Sequence, residues 1–120
     1  MNVSRWKSEI SAVGKRALVL KDLRMDDEGL IVGIEDEAGA VWSLDFRPVQ
    51  ALRITSEECA GNLIAELPTQ GAFFVVRESQ WIRELGDAGA LRRSTHFVLC
   101  CYDQVIEVLA WSCSENLVAR

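Results

Sequence analysis

The tightest constraint on the fold lies in residues 96–111, HFVLCCYDQVIEVLAW. Both arms are rich in β-favouring residues and flank Asp103-Gln104. Successive strand side chains point to opposite faces. A two-residue turn at Asp103-Gln104 then pairs Tyr102 with Val105, Cys100 with Glu107, Val98 with Leu109 and His96 with Trp111. The other face carries Phe97, Leu99, Cys101, Ile106, Val108 and Ala110 and is wholly apolar, so it belongs in a core. The polar groups His96, Tyr102 and Glu107 all fall on the first face, which is read as mixed and open to contact. A one-residue slip of one arm would mix the two faces, so the facing is strongly specified. Asp-Gln is not a strong turn pair, which leaves a four-residue loop as the alternative.

A second alternating stretch, GLIVGIEDEAGAVWSLDF, predicts another hairpin. Leu30, Val32 and Ile34 pack with Trp42, Leu44 and Phe46, while Glu35, Ser43 and Asp45 meet water. Ahead of it, Trp6, Ile10 and Val13 recur at helical spacing between Ser4 and Gly14, so a short helix is expected over residues 4–13. A strand is expected over 16–23. Pro48 is read as breaking the second hairpin's pattern, with a separate short strand at VQALRI. Thr55 and Glu58 have capping-box spacing and open a helix carrying Cys59, Leu63, Ile64 and Leu67, which Pro68 ends. AFFVV reads as a central strand. Ser79 caps a helix with Trp81, Ile82 and Leu85 on one stripe, ending near Gly86, and GDAGALRRST is a loop. Strands that follow one another directly favour antiparallel pairing. The expectation is one α+β domain over residues 1–120, mostly antiparallel sheet with two or three short helices.

A formal charge of −5 argues against nucleic-acid binding, which needs a clustered basic face. No apolar run approaches the roughly 20 residues that cross a bilayer. The first residues, MNVSRWKSEISAVGKR, lack the apolar core of a signal peptide, so a cytoplasmic, non-membrane protein is expected. In that compartment Cys59, Cys100, Cys101 and Cys113 are expected to be ordinary thiols. No pair of them has zinc-site spacing, and no metal or cofactor is expected.

Alternation also argues against a cysteine hydrolase. Cys100 and Cys101 face opposite ways, and His96 stands about 13 Å from Cys100 along one strand, where a nucleophile and its base must sit within about 3 Å. His96 is expected at a sheet edge, stacked on Trp111 across the strands. Two acidic turns remain, Asp26, Asp27 and Glu28, then Glu35, Asp36 and Glu37. Neither has the alternate ligand spacing of a calcium loop. Side by side, they would form a negative rim that steers a cationic partner.

The C-terminal stretch FFVVRESQWIRELGDAGALRRSTHFVLCCYDQVIEVLAW resembles small bacterial immunity proteins of polymorphic toxin systems. It shares their short strand, Ser-capped helix with a Trp, and hairpin running from His through YDQVIEVLA, over about 40 of the 120 residues. The resemblance implies a cytoplasmic α+β protein that binds a cognate toxin and occludes its active site. An acidic surface would suit a basic nuclease toxin. The expected function is therefore non-enzymatic protein binding, with Asp26, Asp27, Glu28, Glu35, Asp36, Glu37, His96, Tyr102, Glu107 and Trp111 as the interface. The alternatives are a structural or regulatory subunit that oligomerises through a sheet edge, such as a homodimer, and a small carboxylate-based enzyme.

Overall fold

The computed structural model describes residues 2–86 and 88–120. Seven strands form one antiparallel sheet: β1 (Asn2–Arg5), β2 (Val19–Met25), β3 (Leu30–Glu35), β4 (Val41–Ser56), β5 (Phe73–Arg77), β6 (Thr95–Cys101) and β7 (Gln104–Ala119). Their order is β1-β5-β6-β7-β4-β3-β2. Three short helices interrupt them, α1 (Gly61–Glu66), α2 (Gln80–Leu85) and α3 (Gly89–Arg92), with a 3₁₀ turn over Glu57–Ala60. The arrangement is α+β and dominated by its sheet, as the alternation predicts.

The sheet curls. Phe46 of β4 and Phe73 of β5 lie three strands apart, about 14 Å in a flat sheet, yet their rings approach to 6.3 Å. Both also meet Phe97 of β6. This aromatic cluster fills the concave side together with the buried face of the β3–β4 hairpin, where Leu30, Val32, Ile34 and Leu44 are fully enclosed.

Residues 4–13 are not a helix. Ser4 pairs with Val75 inside β1, and the Trp6 N–H continues the ladder to the Phe73 carbonyl. The Trp6 ring packs on Phe73 and Phe97. A helix this short is marginal by itself, and sheet pairing plus aromatic burial outweigh it. The chain then runs irregularly to Leu18, held by bonds from Glu37 N–H to Ser11, Gly71 N–H to Val13 and Tyr102 N–H to Leu18. Adding β1 outside β5 makes β5 the second strand rather than a central one.

Pro48 does not end its strand. β4 runs through it: Arg47 pairs with Ser112 and Val49 with Ala110 on either side of Pro48, and the register shift between Val49 and Ala51 falls at Gln50. β3 pairs β4 only as far as Phe46, so on that side β4 has no ladder at Pro48 for a missing N–H to break. The expected 16–23 strand lies at Val19–Met25. The expected 55–67 helix is shorter, because Thr55 and Ser56 remain in β4 and the Glu57 N–H bonds the Asp103 carbonyl. The loop after α2 contains the single turn α3; its Asp87 lies outside the described residues.

The last hairpin forms with a tighter register than expected. Its turn is Tyr102-Asp103, with Asp103 at φ 73°, and the pairs are Cys101 with Gln104, Val98 with Glu107 and His96 with Leu109. The difference is two residues, so both faces keep their members.

Candidate functional site

The polar face of that hairpin is not exposed. Leu63 and Ile64 of α1 pack against the core, and Trp81 of α2 lies over this side of β4, β6 and β7. His96 and Glu107 are 4% and 2% exposed, too little for either to serve as a docking contact. The expected stacking of His96 on Trp111 is absent: β6 is an interior strand, His96 faces Leu109, and its ring meets Trp81 edge-on at 5.3 Å. Trp111 lies beyond the end of β6, is exposed, and stands under the Arg93 guanidinium.

His96 is the centre of a connected polar chain. Strand β5 ends at Arg77, Glu78 takes φ 55°, and Ser79 caps α2 by accepting the Ile82 N–H at 3.3 Å. The Ser79 Oγ is 2.8 Å from His96 Nδ1. His96 Nε2 is 3.0 Å from Glu107 Oε1, on the diagonal between adjacent strands. Arg53, directly opposite Glu107 on β4, donates to both of its oxygens at 2.7 and 2.9 Å. The Arg53 guanidinium also lies over the Trp81 ring at 4.2 Å.

Burial pushes the Glu107 carboxyl up, but hydrogen bonds from His96 and Arg53, together with the Arg53 charge, outweigh it and hold the group at about 2. An ionised carboxylate only accepts, so His96 Nε2 carries the shared hydrogen. With a neutral ring, Nδ1 accepts from the Ser79 hydroxyl, whose oxygen accepts from Ile82. Every donor and acceptor along the chain is then matched.

Hydroxyl, imidazole and carboxylate in sequence is the arrangement that acyl-transfer enzymes use. Here Ser79 is 4% exposed and its oxygen is committed to the helix cap. Ser79 borders the groove between β5 and α2 but shows little of its own surface there. The arrangement ties α2 to the sheet. A recess of about 280 Å³ adjoins it, lined by Arg53, Glu66, Gln80, Glu84, His96 and Glu107 among others.

The acidic turns do not form one rim. Residues 26–29 precede β3 and residues 36–40 follow it, so the two turns lie at opposite ends of one strand. Asp26 accepts the N–H groups of Glu28 and Gly29 and pairs bidentately with Arg47. The Arg47 bond leads the causes that hold its carboxyl at about 2. Asp36 is buried and accepts from Ser11, Ala38, Ala40 and the Trp42 indole, which together overcome the upward push of burial. It is a hairpin knot, not a contact residue. Glu37 holds Ser11 and Val13. Asp27, Glu28, Tyr102 and Trp111 remain exposed, and Glu35 is half-buried. Tyr102 sits at the far tip of the last hairpin, against Arg16.

The thiols of Cys100, Cys101 and Cys113 are unactivated. Burial pushes Cys100 and Cys101 up to about 12 and raises Cys113 as well. His96, Glu107 and the cap at Ser79 are each legible in the sequence, but their union is not. The expected register places His96 opposite Trp111; drawing it in by two residues is what makes the diagonal with Glu107. No local signal shows that α2 folds back over this face. No helix among the described residues is long and apolar enough to cross a membrane. The chain matches no family model, curated protein or solved structure.

Proposed function

We propose that the chain is a non-enzymatic protein-binding module, and that it acts as an immunity protein against a cognate toxin. One observation carries the reading: the side chains suited to catalysis are spent on one another inside the fold, whereas exposed acidic and apolar groups share the sheet's waist. Met25, Asp27 and Glu28 border a recess with Pro48, and Trp111 lies one strand away, next to the Ser112–Arg47 pair. A basic nuclease toxin suits that surface. Asp27 and Glu28 are the residues to reverse, because Asp26 is needed by its own turn. Asp27→Lys with Glu28→Lys is expected to weaken binding tenfold or more and to flatten its salt dependence, read by calorimetry at two ionic strengths. Unchanged affinity removes the waist from the interface.

An oligomer through a sheet edge has its own support. Beyond Ala110, β7 pairs only with β4, leaving an open edge from Trp111 to Ala119 with Leu117 and Val118 exposed. Light scattering across a hundredfold range of concentration separates the readings. A constant monomer mass counts against the oligomer.

A further inference from the structure

The strongest feature outside that reading is a concentration of positive charge on an acidic chain. A groove of about 1180 Å³ runs between the β1–β5 end of the sheet and the α2–α3 region. Arg5, Lys7, Arg77, Arg83 and Arg92 line it, five of the chain's thirteen Lys and Arg, with Glu78 the one carboxylate among its described lining residues. All five cations are exposed. Elsewhere, Arg16, Arg24, Arg47 and Arg53 each hold a carboxylate. Arg5, Lys7, Arg77 and Arg83 form no ion pair among the described residues. Four unpaired cations of like sign beside a single carboxylate repel one another, and an anion that bridges them would relieve that repulsion.

We propose that this groove binds a short acidic segment of a partner protein in extended form. Two observations favour a peptide over a nucleic acid. First, the groove wall is apolar between the charges, with Trp6, Val75, Val76 and Ile82 contributing. This suits a strand whose side chains alternate between carboxylates and apolar groups. Second, the chain as a whole carries −5, so a polyanion running beyond the groove meets repulsion that a short segment avoids. At physiological salt, charge is felt over only about 8 Å. The molecule measures 41 × 33 × 23 Å, so the groove acts separately from distant acidic turns. Arginine predominates, and its planar fork matches carboxylate geometry. The surface is distinct from the waist and does not depend on the partner being a toxin.

The test is a titration of the isotopically labelled full chain, followed by amide chemical shifts. The probes are an end-capped octapeptide alternating glutamate with valine and an eight-nucleotide oligothymidylate. Saturable shifts at Arg5, Lys7, Arg77 and Thr95 with the peptide, weaker with the oligonucleotide, are expected. Arg77→Glu with Arg83→Glu is expected to raise the peptide Kd at least tenfold, and Lys7→Glu to raise it severalfold. Asp27→Lys with Glu28→Lys should leave it within twofold, which keeps failure of the waist reading distinguishable from failure of this one. Each variant is first checked for a wild-type melting temperature. Absence of saturable shifts, or shifts centred elsewhere, overturns the proposal. Tighter binding of the oligonucleotide overturns the peptide and assigns the groove to nucleic acid.

Discussion

Ser79 performs two tasks with one hydroxyl: it caps α2 and hydrogen-bonds His96 Nδ1. Losing a cap costs about 1 kcal/mol, and leaving a buried acceptor unpaired costs about 1–3 kcal/mol. Ser79→Ala is therefore expected to destabilise by about 2–4 kcal/mol in urea unfolding while partner affinity at permissive temperature is retained. Abolished binding in a fully folded Ser79→Ala variant would contradict a purely structural role. Glu107 makes the matching prediction in pH. Its folded value of about 2 lies below the ordinary 4.5, so its contribution is present above pH 4.5 and lost as pH falls toward 2. In Glu107→Gln this part of the acid dependence disappears. The stability gap between wild type and variant should shrink over that interval, and a constant gap would show that the carboxylate's charge is not what the network uses. Glu107→Ala is expected to cost more, about 3–5 kcal/mol, because the ion pair is broken from its buried side.

At the scale of elements, the hairpins were legible because period two allows only two facings, and one facing buries all the apolar residues. The exact turn was not, since a shift of two residues conserves both faces. Asp103 at φ 73° identifies the turn, so Asp103→Val should cost about 1–2 kcal/mol while Asp103→Gly stays near neutral. A reversed order of midpoints in urea would refute the Tyr102-Asp103 turn. Two strand-region glycines give a second contrast. A methyl at Gly29 would strike the Phe46 backbone carbonyl, whereas one at Gly33 meets the Asp22 carboxylate, whose side chain is 54% exposed and can turn away. Gly29→Ala should cost about 1–3 kcal/mol and Gly33→Ala less than about 1 kcal/mol. The N-terminal segment departs from its helical pattern for a physical reason. Trp6, Ile10 and Val13 share a helical stripe, but Val13 is 66% exposed and Trp6 is claimed by Phe73 and Phe97 from distant strands. Long-range partners decided that segment, and no window of ten residues contains them.

For the whole molecule, the distribution of charge matters more than its sum. The acidic total hid a basic groove whose cations come from β1 and the segment after it, β5, α2 and α3, spread over almost ninety residues of sequence. Packing of α1 and α2 on the sheet buried the face expected to be a contact surface, and the waist, this groove and the open β7 edge are left for a partner to dock on. The central claim is that the chain works by binding a toxic protein rather than by chemistry of its own. The most direct test is to capture the partner with the purified chain in its native host, re-express that partner alone and together with the chain, and measure growth. Arrest by the partner alone and rescue on co-expression are expected, with rescue kept by Glu107→Gln at a temperature where that variant is folded. Recovery of only the chain's own copies, or of a partner that leaves growth unaffected, would contradict it.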